Sequence, residues 1–238
     1  PWVIAGQGTI ALEMLAQAPE LEVLVVPVGG GGLIAGIAIA ARHLRPQIRV
    51  VGVEAALFPA VKRRLAGERS VPGGPTIAEG IAVKEPGRLS LPVIQTLVAE
   101  IRLVEEASIE AAVLELLEIE KTVVEGAGAV TLAAIADDRA AFAGRRVGLV
   151  LSGGNIDSRL LSAVILRGLV RSERLVRFRV SLPDSPGSLA RVTGLIAEAG
   201  GNIVDVVHQR AFSRLSVKQA DVDFTIETRP AAHAHEIR

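Results

Sequence analysis

The stretch "LEVLVVPVGGGGLIAGIAIAARHL", residues 21–44, joins a β-branched apolar run to an apolar helical pattern through four consecutive glycines. The run at 21–28 predicts a buried strand, and residues 33–44 predict a helix. After the breaker Pro46, "IRVVGVE" at 48–54 predicts a second strand. The three segments form one βαβ unit, in which the two strands are parallel and the crossover is right-handed.

The position of the four glycines predicts an anion site. Consecutive glycines after a strand allow several backbone N–H groups to point into one concavity, to which the next helix adds its positive end. A tight turn with close helix packing is the alternative, but it needs only one or two glycines. A dinucleotide fingerprint is less favoured, because Gly36 does not complete G-x-G-x-x-G and only Glu54 supports it otherwise. A nucleotide P-loop is excluded, because no Lys-Ser/Thr follows.

The composition favours an α/β protein with a small-molecule partner. Hydrophobic residues make up 50% of the 238 residues and aromatic residues only 3%, so the core is built from Val, Leu, Ile and Ala. The formal net charge is +0, so the charge balance favours neither nucleic acid nor an anionic membrane. The absence of cysteine excludes thiol catalysis and fits a reducing cytoplasm. The chain opens at Pro1 without a start methionine or signal peptide, and we expect it to be a piece of a longer protein.

Further strands and helices alternate after the first unit. We predict a third strand at 100–106, a helix N-cap at Ser108, a helix at 127–136, a fourth strand at 145–154 and a helix at 156–170. Residues 67–92 are rich in Gly and Pro and predict a long ordered loop. This alternation predicts an open, mostly parallel sheet with helices on both faces.

A second glycine junction, "GLVLSGGNIDSRLL", repeats the order of strand, small residues and helix. Two such junctions side by side would form a crevice at the carboxyl edge of the sheet, where open α/β sheets bind ligands. Ser152 would project there and could exchange one hydrogen bond with a ligand ring. The alternative is a turn serine. No G-x-S-x-G elbow and no suitably placed His support a nucleophile, so Ser152 is interpreted as a positioning group.

Five motifs resemble one family: "VIAGQGTIALEML", "VVPVGGGGLIAGIA", "TIAEGIAV", "EGAGAV" and "LSGGNID". In this order and spacing, over residues 3–170, they are similar to the fold type II pyridoxal phosphate enzymes, most closely the threonine dehydratase (threonine ammonia-lyase) group. The resemblance implies a pyridoxal 5′-phosphate cofactor and β-elimination of threonine to 2-ketobutyrate and ammonia. Serine racemase and serine dehydratase are close relatives, and their activities are the alternative within the family.

The resemblance also implies a set of cofactor contacts. The tetraglycine loop would bind the cofactor phosphate, and the serine of the S-G-G-N motif would face the pyridine nitrogen. A neutral hydroxyl need not protonate the ring, which makes the cofactor a weaker electron sink and favours β-elimination. The residues at the matching positions are Gly29, Gly30, Gly31, Gly32, Leu33, Gly80, Ser152 and Gly153.

The family's Schiff-base lysine lies upstream of the G-Q-G-T motif, close to which this chain begins. None of the four lysines, which are Lys62, Lys84, Lys121 and Lys218, has the family's context. We therefore predict no catalytic residue in this chain and no activity of the chain alone. Some relatives bind a divalent cation through an acid ending the second strand and another six residues on. Glu54 matches the first, but Ala60 replaces the second, so no metal site is predicted.

The pattern changes to alternating strands near residues 171–174, which predicts domains at 1–172 and 173–238. "LVRFRVSLPDSPGSLARVTGLIAEAGGNIVDVVHQR" resembles the opening βαβ of an ACT regulatory domain, with a further strand at 217–228. ACT domains bind amino acids at the strand-to-helix turn, commonly across two domains, so Asp184, Gly187 and Asn202 are the predicted effector contacts. A ferredoxin-like module without ligand is the alternative. His233 and His235 are too few for a metal site.

Two hypotheses of different class follow. In the first, the chain is part of a cytoplasmic, homo-oligomeric and allosteric enzyme of amino-acid metabolism, such as isoleucine biosynthesis, with threonine or serine as substrate and an amino-acid effector. In the second, it is a non-catalytic amino-acid-binding regulator that retains a decayed cofactor fold. The intact glycines together with Ser152 favour the enzyme.

Overall fold

The computed structural model describes residues 1–69, 71, 73–209 and 216–228. The chain divides into two compact units, Pro1–Leu161 and Ser162–Arg238. The helices of the described residues are α1 (Trp2–Gln7), α2 (Thr9–Gln17), α3 (Gly32–Leu44), α4 (Ala60–Leu65), α5 (Ser90–Leu97), α6 (Glu106–Glu118), α7 (Gly126–Asp137), α8 (Arg139–Phe142), α9 (Ser158–Arg171) and α10 (Ser188–Glu198). The strands are β1 (Val23–Pro27), β2 (Arg49–Ala55), β3 (Glu100–Val104), β4 (Val147–Leu149), β5 (Leu175–Pro183), β6 (Asn202–Gln209) and β7 (Gln219–Glu227).

The first unit contains a four-stranded parallel sheet with the order β3-β2-β1-β4. In the centre, Val25 of β1 pairs with Val51 of β2 on one side and with Leu149 of β4 on the other. The predicted parallel sheet is confirmed. Because β1 and β4 are neighbours, the two glycine junctions follow adjacent strands.

Both faces of β1 are buried. Leu24, Val26 and Val28 lie in one apolar cluster with the inner face of α3, and the intervening Val23 and Val25 are equally inaccessible. α7 contacts β1, β2 and β3, while α1, α2 and α5 pack on α3. A strand without polar positions is stable only between two helical layers, which is the predicted arrangement.

The structure differs from the sequence predictions at three places in this unit. Ser108 is not an N-cap, because α6 already begins at Glu106 after the extended Glu105 (φ −81°, ψ 156°). Residues 67–92 are not all loop, because a 3₁₀ turn covers Glu79–Ile81 and α5 begins at Ser90. β4 is much shorter than predicted and ends at Leu149.

The second unit contains an antiparallel sheet with the order β5-β7-β6. Its core is formed by the fully buried side chains of β7, among them Val222, Phe224 and Ile226, against which Ile196 of α10 packs. The predicted α+β arrangement is confirmed. His233 and His235 lie outside the described residues. The domain boundary after residue 172 stays a prediction, because the division of contacts falls inside the continuous helix α9.

Within the described ranges, no helix combines the length and the apolar content that crossing a bilayer requires.

Candidate cofactor site

The two glycine junctions lie side by side at the carboxyl edge of the parallel sheet. Val25 pairs with Leu149, and the N–H of Val150 donates to the carbonyl oxygen of Val25 at 3.0 Å. Gly29 follows Val25 by four residues, and Ser152 follows Leu149 by three. The structure therefore brings the tetraglycine loop and the S-G-G loop to the same level of one edge, as the sequence predicted.

The fold itself gives a reason for glycine at two of the four positions. Gly31 has a left-handed backbone (φ 82°) and precedes α3. A Cβ there would lie 2.6 Å from Ile94 Cδ1 and 2.9 Å from Ser90 Oγ. At Gly29, a Cβ would lie 3.0 Å from the Cα of Ile81. Packing therefore favours glycine at both positions, and the left-handed backbone favours it further at Gly31.

The other two glycines have no such reason within the described residues. At Gly30, a Cβ would meet no atom within 4 Å, and at Gly32 the nearest atom is Val3 Cγ1 at 3.8 Å. Neither residue has a positive φ. The open space in front of both glycines therefore fits a molecule that approaches the backbone closely.

The backbone N–H groups of the loop are not used by the fold. Among the described residues, no backbone carbonyl accepts from the N–H groups of residues 29–32, which lie at the positive end of the 13-residue helix α3. The carbonyl of Gly30 is held away from them, because it accepts from Gly87 N at 2.9 Å and from Ser90 Oγ at 2.6 Å. Free donors at a helix N-terminus suit a phosphate group. Sequence analysis missed Ser90, which is buried and carries no motif.

The second loop is shaped by Glu125, which sequence analysis also missed. Gly153 has φ 88°, and a Cβ there would lie 2.2 Å from Glu125 Oε1. A Cβ at Gly80 would lie 3.2 Å from the same oxygen and 3.0 Å from Ala127 Cβ. Ser152 is half-buried. The lack of side chains at Gly80 and Gly153 thus makes room for the carboxylate of Glu125, and a cofactor contact of these two glycines stays a prediction.

Comparison with known families decides the class of the first unit. The sequence model of the family described as "Pyridoxal-phosphate dependent enzyme" matches residues 1–153, and that of the ACT domain matches residues 176–236. The chain belongs to the pyridoxal-phosphate dependent enzyme family. The open donors of the tetraglycine loop fit the phosphate group of this family's cofactor.

The curated relatives include two L-threonine ammonia-lyases. The chain is 46% identical to that of Geobacter sulfurreducens, covering 100% of this chain and 60% of the relative. It is 42% identical to that of Thermotoga maritima, covering 100% of this chain and 59% of the relative. The chain therefore spans about 60% of the length of these relatives.

Solved structures of the family show the same fold. A threonine deaminase from T.th. is 39% identical with a TM-score of 0.61, covering 65% of this chain and 58% of that protein. Maize serine racemase is 35% identical with a TM-score of 0.62, covering 71% of this chain and 54% of that protein. These similarities confirm the predicted fold class and its resemblance to fold type II pyridoxal phosphate enzymes.

Glu54 lies at the end of β2, where some members of the pyridoxal-phosphate dependent enzyme family are expected to bind a cation. Its carboxylate is fully buried and accepts from Val61 N at 2.7 Å and Lys62 N at 2.9 Å at the start of α4. Burial raises the pKa of Glu54 to about 7, against the two backbone N–H groups that lower it. Both oxygens thus already have donors, and within the described residues no group of three metal-ligating side chains occurs.

The four lysines are all exposed, and none lies beside the two glycine junctions in the chain. Lys62 is in α4, Lys84 precedes α5, Lys121 follows α6 and donates to the Glu118 carbonyl at 2.5 Å, and Lys218 precedes β7. The absence of the family's catalytic lysine from this chain stays a prediction.

In the ACT domain, the predicted effector residues do not all meet within one copy. Asp184 and Gly187 line a cavity of about 350 Å³ at the turn between β5 and α10, together with His208 of β6. Asn202 begins β6 and donates to Glu227 Oε2 at 3.1 Å. Asn202 and Asp184 therefore lie at opposite ends of β7, roughly 25 Å apart along the strand.

Proposed function

We propose that this chain is the phosphate-binding part of a pyridoxal phosphate-dependent threonine dehydratase, which converts threonine to 2-ketobutyrate and ammonia. The observation that carries the proposal is the tetraglycine loop. Gly30 and Gly32 have no packing reason to be glycine, and the adjacent N–H groups have no acceptor among the described residues. The two relatives named L-threonine ammonia-lyase, which match over the whole chain, support threonine as the substrate.

The proposed roles follow from the positions of these groups. The backbone N–H groups of residues 29–33 donate to the phosphate, and the positive end of α3 stabilises its charge. Ser152 exchanges one hydrogen bond with the pyridine ring, while Gly80 and Gly153 flank the site. The bound cofactor supplies the electron sink for β-elimination. The lysine that holds the cofactor must come from outside these residues.

The alternative within the family is serine racemase or serine dehydratase activity, with serine as the substrate. The similarity to maize serine racemase supports this alternative, but less strongly, because the identity is 35% against the 39% of the threonine deaminase. Substrate trials with threonine and with both enantiomers of serine in a lysine-containing longer protein distinguish the two activities.

The ACT domain supports control by an amino-acid effector. Asp184 and Gly187 line a cavity at the turn between β5 and α10 that could hold an effector. Asn202 lies at the other end of β7, so it could contact an effector in this cavity only from a second copy of the chain. We therefore propose a homo-oligomer with effector sites between ACT domains, in an allosteric cytoplasmic enzyme. Domains at 1–172 and 173–238 are part of this proposal.

The phosphate site is tested with the chain itself. Inorganic phosphate and pyridoxine 5′-phosphate, which has no aldehyde to react with surface lysines, are titrated into ¹⁵N-labelled chain, and the amide shifts of residues 29–33 are followed by NMR. Gly30→Val should weaken the binding of both ligands at least tenfold, about 1.4 kcal/mol, because the valine side chain fills the open space without overlapping other residues of the chain. Gly6→Val is the matched control, since Gly6 also has nothing within 4 Å. Unchanged affinity in Gly30→Val would contradict the proposal.

The missing lysine is tested by activity. The chain incubated with pyridoxal phosphate and threonine should release no 2-ketobutyrate, because β-elimination requires a positioned lysine amine. Borohydride reduction followed by peptide mass spectrometry identifies any lysine that forms an imine with the cofactor. A single specifically labelled lysine together with keto-acid release would show that the chain carries its own catalytic residue.

A further inference from the structure

A cavity of about 550 Å³ lies between α4 and the start of α5. Four cationic side chains line it, and we call it the basic cavity. They are Arg64 of α4, Arg69 after that helix, and Lys84 and Arg88 in the segment before α5. All four side chains are exposed, so a ligand can enter without a movement of the chain. The walls come from residues 60–91, so the basic cavity is separate from the tetraglycine loop.

The four cations have no partner within the part of the chain that the structure describes. None of them forms an ion pair or a side-chain hydrogen bond there. Arginines elsewhere in the chain do form ion pairs, such as Arg49 with Glu100 at 2.7 Å and Arg179 with Asp223 at 2.8 Å. Like charges around one concavity repel each other, which raises the free energy of the empty cavity. A bound anion would replace this repulsion by attraction.

Two carboxylates of the basic cavity reduce its charge without balancing it. They belong to Glu68, which follows Arg64 by four residues, and to Glu85, which directly follows Lys84. Neither carboxylate forms an ion pair with another described residue. Four cations and two carboxylates leave the lining with a net charge of +2. A ligand with at least two negative charges is therefore needed to neutralise it.

The kind of cation and the size of the cavity narrow the ligand further. Three of the four cations are arginines, whose planar guanidinium groups match the oxygens of a phosphate or carboxylate group. Small-molecule sites have volumes of about 300–1,000 Å³, and the basic cavity falls within this range. It is thus large enough for an organic anion. A zwitterionic amino acid such as threonine does not bring the required charge.

The basic cavity shares a segment with the tetraglycine loop. Gly87 lines the cavity, and its N–H donates to the carbonyl of Gly30 at 2.9 Å. Ser90, three residues further on, donates to the same carbonyl at 2.6 Å. A ligand that is bound by Lys84 and Arg88 would restrain the residues that hold this loop.

We propose that the basic cavity is a second anion site of the chain, which takes a small molecule with at least two negative charges. Phosphate esters and polycarboxylates share this chemistry. The site goes beyond the proposed function and needs neither a bound cofactor nor a catalytic lysine. When it is occupied, the segment 84–90 and its hydrogen bonds to Gly30 are held more firmly.

The experiment titrates ¹⁵N-labelled chain with pyrophosphate and with citrate, and acetate at equal ionic strength is the monovalent reference. At least one of the two multivalent anions should shift the amides of residues 84–88 in a saturable way, and acetate should not. Arg88→Gln and Lys84→Gln should each weaken this binding by about fivefold or more, because each removes a charge-assisted contact. Hydrogen exchange of the Gly87 amide should become slower when the anion is bound.

The matched control is Arg63→Gln, which removes a positive charge from the same helix at a residue that does not line the cavity. It should change the affinity by less than about twofold, because salt screens charges outside the site. Shifts that do not saturate, or equal weakening by Arg63→Gln, would mean non-specific attraction and would overturn the proposal. If one cavity variant does not fold, the other decides.

Two further outcomes identify the ligand and the site. Binding of pyrophosphate but not citrate supports a phosphate ester as the ligand, and the reverse result supports a polycarboxylate. In Gly30→Val, the shifts of residues 84–88 should persist, and their loss would place the anion at the tetraglycine loop and overturn the second site. Whether inorganic phosphate shifts the amides of residues 29–33 decides the proposed function separately.

Discussion

In each unit, a strand is followed four residues later by a left-handed glycine that precedes a helix. Gly31 precedes α3 with φ 82°, and Gly187 precedes α10 with φ 89°. The two turns differ in their surroundings. A Cβ at Gly31 would overlap Ile94 and Ser90, whereas a Cβ at Gly187 would meet nothing within 4 Å.

This difference shows that the same local backbone serves two kinds of site. Gly31 itself is buried, and the Gly30 carbonyl accepts hydrogen bonds from Gly87 N and Ser90 Oγ, so the loop is held in place before a ligand arrives. The turn at Gly187 is exposed, and the residue expected to complete its site, Asn202, lies at the far end of the sheet. The first turn is preorganised within one chain, and the second can be completed only by assembly.

The largest expected effect is that of a methyl group at each turn. Gly31→Ala should destabilise the first unit by about 2–5 kcal/mol, because left-handed strain of about 1–2 kcal/mol adds to overpacking of about 1–3 kcal/mol. Gly187→Ala should cost the second unit only the strain, about 1–2 kcal/mol. Hydrogen exchange of α3 and α10, measured by mass spectrometry over a urea series, gives the two values separately.

The two variants act as controls for each other. Equal losses at both positions would mean that Ile94 and Ser90 move aside at little cost. In that case the first turn is no more rigidly held than the second, and the contrast between them disappears.

Sequence reasoning was most successful where one residue type decides the structure. The apolar strand β1, the four glycines and α3 were predicted within two residues of their observed bounds, because the apolar run and the helical period are local signals. α5 was missed because its eight residues contain Pro92 and begin inside a Gly/Pro-rich stretch. Ser108 was misassigned because an extended Glu105 begins the helix without any side-chain cap.

The second expected effect is an opposite response of the two units to pH. Burial raises the pKa of Glu54 from 4.5 to about 7. The contribution of Glu54 to the stability of the first unit is therefore fully present below pH 4.5, and on the order of 3 kcal/mol is lost as pH rises through 7. In the second unit, the hydrogen bonds from Arg179 lower the pKa of Asp223 below 3.8. The stability that the ionised Asp223 contributes to the second unit is therefore present above pH 3.8 and is lost as pH falls.

Unit-resolved hydrogen exchange between pH 3 and 8 measures these trends. Glu54→Gln is isosteric and cannot ionise, so it should flatten the decline of the first unit between pH 5 and 8 while leaving the second unit unchanged. A decline that persists in this variant would assign the pH dependence to other groups.

The candidate site was predictable only in part, for a physical reason. Glycine loops and Ser152 follow strands whose order the topology rules restrict, so their convergence could be expected. Ser90 and Glu125 contact residues that are distant in sequence. Ser90 donates to the carbonyl of Gly30, 60 residues away, and Glu125 lies between Gly80 and Gly153. No local period or spacing encodes such contacts.

The smallest expected effect concerns the serine beside each glycine turn. Ser90→Ala removes a buried donor to the Gly30 carbonyl, so it should destabilise the first unit by about 1–2 kcal/mol and weaken phosphate binding. Ser188→Ala removes only the solvent-exposed contact with Ser185 Oγ at 3.0 Å, so the second unit should change by less than about 0.5 kcal/mol. Urea midpoints and phosphate titrations of both variants measure this. Phosphate affinity that is unaffected by Ser90→Ala would mean that the loop holds its donors without this bond, and that local backbone alone preorganises the first turn.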